Sequence, residues 1–160
     1  MIPGIKASAG EATTALILEV FRLNGRLLAA GDRLVSKLGL TSARWQVLGA
    51  IALSPTPEPV ARLARNMGLN RQGVQRIVNE LVAEDIVAFQ ENPHHRRAKL
   101  VMLTEKGREA YDAASRLQTP WVNALSKGID AESIIAAVHI IEMLRKRLEE
   151  EVSEGTEERG

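Results

Sequence analysis

The chain has 160 residues, of which 45% are hydrophobic but only 3% aromatic, so Leu, Ile, Val and Ala must fill the core. That composition favours packed helices over a β-sandwich and fits one domain with helical extensions. The absence of cysteine excludes a disulfide framework, a thiolate metal site and thiol redox chemistry.

The net charge of +1 conceals an asymmetry. From Val60 to Arg108, nine basic side chains outnumber five acidic ones, whereas Leu148 to Gly160 holds six glutamates against one arginine. An acidic end thus masks a basic middle. The first residues, MIPGIKASAG, lack a basic stretch followed by an apolar one. No apolar run approaches the roughly 20 residues that span a bilayer. The expectation is a soluble, cytoplasmic protein without membrane contact.

Ala12 to Leu38 reads as one long helix, with Leu16, Val20, Leu23, Leu27, Leu34 and Leu38 recurring at helical spacing. Ile17, Phe21, Leu28 and Val35 widen this stripe, so burial on more than one side is expected. Gly39 suits the residue after the helix, and Thr41 suits the cap of the next, Ser42 to Leu53. Trp45, Leu48 and Ile51 share a face of that helix, with Val47 beside it. The proline-rich SPTPEP ends it.

Val60 to Met67 forms a short helix. Gly68 supplies the turn, Leu69 is expected to plug the angle between helices, and Asn70 caps a helix over Arg71 to Glu84. Val74, Ile77, Val78 and Leu81 form its apolar face. Ile86 to Gln90 and Lys99 to Leu103 read as a β-hairpin. Thr104 caps a further helix, which Pro120 should kink or restart, and Asp130 caps the last. After Val152, the text SEGTEERG reads as frayed.

The chemistry concentrates in the middle. A helix that reads DNA needs one apolar face for docking and another carrying Arg, Gln and Asn for base edges. Arg71, Gln72, Gln75, Arg76 and Asn79 supply the second face opposite the apolar one. An ordinary surface helix has the same pattern, but the Gly68–Asn70 turn before it and the hairpin behind it favour a helix-turn-helix with a wing. Gly73, costly in a helix interior, would permit close approach to a DNA backbone. The hairpin tip, Asn92 to Lys99, is basic and free of acid, which suits phosphates or a narrow minor groove. Solubilising a sheet edge is the alternative role for such charges.

His94 and His95 are adjacent, His139 is far from both, and no acid accompanies them at ligand spacing. No metal site and no cofactor are expected. Phosphate-cradling glycine loops, nucleophile elbows and HExxH motifs are lacking, so neither an enzyme nor a catalytic residue is expected.

Three segments carry a resemblance: LTSARWQVLGAI (Leu40 to Ile51), LARNMGLNRQGVQRIVNELVAEDIV (Leu63 to Val87) and NPHHRRAKLVMLTEKG (Asn92 to Gly107). They resemble the MarR family of bacterial transcription regulators, and the likeness extends over nearly the whole chain. The last is the most specific. The family's wing often reads Asp-Pro-x-Asp-Arg-Arg before a strand ending in Leu-Thr, and Pro93, Arg96, Arg97, Leu103 and Thr104 match it.

The resemblance implies a mainly α fold with a small β-wing: a winged helix-turn-helix joined to a helical dimerisation region made by both termini. It implies an N-terminal dimerisation helix (1–38), a DNA-binding domain (41–108), C-terminal dimerisation helices (109–152) and an acidic, disordered tail (153–160). A homodimer would hold a pseudo-palindromic double-stranded operator as a repressor released by a small aromatic or phenolic effector. The candidate DNA contacts are Asn70, Arg71, Gln72, Gln75, Arg76, His95, Arg96 and Arg97. Arg97 would be the arginine that enters the minor groove. No ligand-binding residue is assigned; Arg44 and Trp45 lie on the helix expected near the effector cleft.

Asn92 and His95 depart from the pattern, standing where the family usually has Asp. The second acid is expected to orient the wing arginine by an ion pair. With His95 there, either the wing is looser or His95 itself touches phosphate and gains affinity at lower pH. Two rival readings are a winged-helix module that binds protein rather than DNA, and a small-molecule-binding protein using the interdomain cleft.

Overall fold

The computed structural model describes residues 8–157, with side chains through residue 151. It is mostly helical. The elements, in chain order, are α1 (Ala9–Val35), a short 3₁₀ turn (Ser36–Leu38), α2 (Ser42–Leu53), β1 (Glu58–Pro59), α3 (Val60–Met67), α4 (Arg71–Ala83), β2 (Val87–Gln90), β3 (Leu100–Leu103), α5 (Glu105–Leu125) and α6 (Ala131–Glu157). They divide into two compact units that meet between Gln118 and Thr119, within α5.

In the first unit α1 begins at Ala9, three residues before the predicted start at Ala12. Ser8 and Glu11 form a reciprocal capping box there, and these hydrogen bonds hold the Glu11 carboxyl below its ordinary pKa. Gly39 ends the 3₁₀ turn at φ 69°, and Thr41 Oγ1 accepts from the Arg44 amide at 3.2 Å. Only Gly31 and Val35 of α1 are buried. Much of the broad apolar face predicted for it, including Ile17, Phe21 and Leu23, lies open in the single chain, and Leu18 is exposed as well. Among the described residues of the first unit, none covers these side chains.

The core lies between α2, α3, α4 and the sheet, with Leu48, Leu63, Leu81, Val47, Val74, Val78, Val87 and Val101 fully buried. Trp45 packs half-buried against it. Gly68 turns the chain from α3 to α4 at φ 64°, and the amides of Gly68 and Leu69 bond back to Arg65 and Ala64. Leu69 does not plug that corner; it is 46% exposed. Leu63, Ala64, Val74 and Val78 already fill the space, leaving Leu69 facing outward.

The sheet has three antiparallel strands in the order β1-β3-β2, one more than the predicted hairpin. In the added strand Glu58 stands opposite Val101, and Pro59 opposite Leu100. Proline is tolerated there because β1 is an edge strand with one side unpaired.

Asp85, at φ 57°, turns the chain from α4 into β2. The start of α5 clamps this turn. Thr104 Oγ1 lies 2.7 Å from the Asp85 carbonyl and accepts from the Gly107 amide at 3.0 Å, while Lys106 Nζ donates to the Glu84 carbonyl at 2.7 Å. A Cβ on Gly107 would come within 2.0 Å of the Ile86 carbonyl oxygen, so only glycine fits.

Helix α5 passes through Pro120 without restarting and ends at Leu125. The proline removes one backbone hydrogen bond from a helix of 21 residues, and the rest sustain it. In the second unit Asp130 caps α6 through the amides of Glu132 and Ser133, at 2.9 and 3.1 Å. The Ser133 hydroxyl, followed by these amides, holds the Asp130 carboxyl below its ordinary pKa. The backbone of α6 continues to Glu157, beyond the predicted end at Val152; the rest of the acidic tail lies outside the described residues. Among the described residues no helix is long and apolar enough to cross a membrane.

Candidate nucleic-acid interface

Helix α4 has two opposed faces. Val74, Val78 and Leu81 are fully buried, which fixes the rotation of the helix in its domain. That rotation turns Arg71, Gln72, Arg76 and Asn79 outward, with Gln75 half-exposed between them. The predicted face therefore exists as one continuous surface.

Its side chains are partly ordered among themselves. Gln75 Nε2 donates to Asn79 Oδ1 at 2.9 Å, and Arg76 Nη1 donates to Glu80 Oε1 at 3.2 Å. Asn70 Oδ1 is committed to the helix cap, accepting from the amides of Gln72 and Gly73 at 2.8 and 3.3 Å. The cap leaves the Asn70 Nδ2 group available as a donor. Around Gly73 nothing lies within 4 Å of a built Cβ, so the protein itself does not require glycine there.

The wing turn is organised by Asn92. Its Nδ2 donates to the Ala98 carbonyl at 2.9 Å, and its Oδ1 accepts from the His94 amide at 3.0 Å. The backbone adds bonds from the His95 amide to the Asn92 carbonyl and from the Ala98 amide to the His95 carbonyl, at 3.2 and 3.1 Å. A carboxylate at this position could not donate to Ala98. Asn92 thus closes the turn with both a donor and an acceptor. His95, Arg96 and Arg97 are all exposed, and neither arginine has an ion pair among the described residues.

The structure also brings in residues outside the predicted set. Lys99 lies over the Phe89 ring, 5.9 Å from its centroid, at the base of the wing. Arg44 on α2 donates from Nη1 to the Gly39 carbonyl at 3.1 Å, and its Nη2 is 2.6 Å from Glu84 at the end of α4. This last contact is an ion pair without hydrogen-bond alignment, and the buried Nε has no partner. Arg44 therefore braces the far end of α4 within the unit. Its spacing from Glu84, 40 residues along the chain, gave no local signal. Among the described residues no three His, Asp or Glu side chains converge as metal ligands.

Comparison with known proteins agrees with this arrangement. A family model described as MarR family matches residues 38–98. The uncharacterized protein Rv2011c of Mycobacterium tuberculosis is 36% identical over 121 residues, covering 76% of this chain and 83% of that protein. The transcriptional activatory protein BadR of Rhodopseudomonas palustris is 27% identical over 108 residues, covering 66% and 62%. The transcriptional repressor CouR bound to a 23-mer DNA duplex superposes with a TM-score of 0.71 at 21% identity, over 88% of this chain and 99% of CouR. CouR from Rhodococcus jostii RHA1 bound to p-coumaroyl-CoA gives 0.63 at 24% identity, over 81% and 85%. The CouR likeness is one of fold. The wing text, the helix-turn-helix geometry and these matches converge: the chain belongs to the MarR family, DNA-binding transcription regulators that are not enzymes.

Proposed function

We propose that this regulator is a ligand-responsive repressor, acting in the cytoplasm as a homodimer on a pseudo-palindromic operator. The observation that carries the reading is α4, whose buried Val74, Val78 and Leu81 aim a face of Arg, Gln and Asn away from the domain. Two such helices about one duplex turn apart, roughly 34 Å, would read two half-sites. Asn70, Arg71, Gln72, Gln75 and Arg76 serve the major groove, while His95, Arg96 and Arg97 serve the wing.

The dimer is supported by apolar side chains that each unit leaves open. In α1 these include Ile17, Leu18, Phe21 and Leu23; in α6 they include Ile135, Val138, Ile140 and Met143. Contiguous exposure of this kind marks an association surface. Response to a small aromatic effector is supported by the p-coumaroyl-CoA complex of CouR, and repression by CouR's own description. BadR, described as activatory, defines the opposite sign.

Selection of bound duplexes from a random pool tests the reading. A palindromic consensus bound by a dimer is expected, and screening small aromatic acids and their coenzyme A thioesters should release it. Recovery of no consensus, with binding absent even at low salt, would remove DNA as the partner.

A further inference from the structure

A concavity of about 190 Å³ lies between the first turn of α4 and the base of the wing. Pro59, Val60 and Phe89 give it an apolar side, and Arg71, Arg97 and Lys99 all line it. None of its lining residues is acidic. Among the described residues, none of these three cations has a carboxylate partner, whereas Arg44, Arg62 and Arg76 each do. Lys99 is held in place over the Phe89 ring, and α3 begins at the edge of the concavity without a side-chain cap.

Three like charges sharing one small space repel each other until an anion joins them. An apolar wall beside them reduces competition from water and strengthens charge-assisted hydrogen bonds to that anion. Position supplies its identity. A helix in one groove of a duplex and a wing in the next groove must be separated by the sugar–phosphate backbone. The concavity lies in that intervening space.

We propose that Arg71, Arg97 and Lys99 form a seat for a single DNA backbone phosphate between the two grooves. The proposal rests on the DNA-binding reading and deepens it. It reassigns Arg97 from the minor groove to the backbone, leaving Arg96 and His95 as the side chains of the tip. It also adds Lys99, which the sequence placed at the end of the basic tip but not among the candidate contacts. Phosphate contacts of this kind set register and affinity without reading sequence.

The test uses the full chain, the selected operator and a random duplex, with binding measured over a range of salt. Arg97→Ala and Lys99→Gln are each expected to weaken both duplexes by the same factor, about tenfold, and to reduce the salt slope by about 0.9, the value for one phosphate. Because the two side chains share that phosphate, the double variant should lose little more than either single one. A methylphosphonate at the linkage between the grooves should weaken the wild type and leave the double variant unaffected. Arg96→Ala should instead alter base preference beside the half-site.

Additive losses with roughly twice the change in slope would mean two separate phosphates and would overturn the shared seat. A loss at Arg97 confined to the operator, with the slope unchanged, would return that residue to base reading. Wild-type levels of binding in both single variants would also end the proposal while leaving DNA recognition intact. If the wild type binds no duplex, recognition itself fails and the seat fails with it. Thermal melts of the variants, all altered at exposed positions, distinguish lost contacts from lost folding.

Discussion

Arg76 meets DNA already engaged, since its guanidinium lies 3.2 Å from Glu80. Base reading requires exchanging that carboxylate for a guanine edge. An exposed pair of this type is worth at most about 1 kcal/mol, so the exchange is cheap beside a bidentate base contact of about 1–3 kcal/mol. Arg76→Ala should therefore weaken operator binding by about 1–3 kcal/mol, and Glu80→Gln should strengthen it by up to about fivefold. Equal losses on operator and random DNA in Arg76→Ala would assign that arginine to phosphate. Gly73 offers a second test at this scale. The open space around it predicts that Gly73→Ala stabilises α4 by about 1 kcal/mol, raising the melting temperature by roughly 2–4 °C. The same variant should bind DNA more weakly, because the added methyl group meets the backbone of the duplex. Unchanged affinity would remove Gly73 from the interface.

Among the elements, the wing shows how a departure from family pattern can be absorbed. Asn92 closes the turn through Ala98 and His94, and His95 joins it through its backbone amide and carbonyl. His95 is exposed beside His94, Arg96 and Arg97, with Glu91 and Lys99 at the strand ends. His95→Asp places a negative charge beside Arg96 and Arg97 and should weaken operator binding. Unchanged affinity in the variant would place His95 outside the interface. Helix α6 carries a prediction for stability. The cap bonds lower the folded-state pKa of Asp130, so its contribution is present above the unfolded pKa and disappears as pH falls through the folded one. Asp130→Ala should lower the melting temperature at neutral pH and by progressively less in acid. A uniform loss across pH would show that the carboxylate charge is not what stabilises the cap.

At the level of the whole molecule, the apolar residues of α1 that the single chain leaves open should make assembly sensitive to charge. Phe21, 70% exposed, is a direct probe: Phe21→Glu should shift sedimentation from dimer to monomer and remove operator binding without unfolding the winged helix. A variant that remains dimeric would place the association surface elsewhere. How much was legible in the sequence follows the range of the interactions. Thr41, Gly68, Asn70 and Asp130 act on backbone within three residues of themselves, and each capped or turned the chain where its type predicted. The outward face of α4 was legible because its apolar period leaves only one rotation. Strand β1 was hidden because its partner is some 40 residues away in β3 and its prolines signal a break. Arg44 and Glu84 were hidden for the same reason. The grouping of Arg71, Arg97 and Lys99 depends on the α4–wing juxtaposition, which no local motif encodes.

The junction between α1 and α2 is closely packed. Ser42 is buried there, its amide donating to Asp32 Oδ1 and its hydroxyl to the Leu28 carbonyl, both at 2.6 Å. A Cβ on Gly31 would meet that hydroxyl oxygen at 2.3 Å, so the helices touch through the space of a missing methyl group. In the proposed dimer, with α1 joining two copies, the angle this notch fixes would set the distance between reading heads. The spacer length of the operator would then be written, in part, at a glycine that never approaches the DNA.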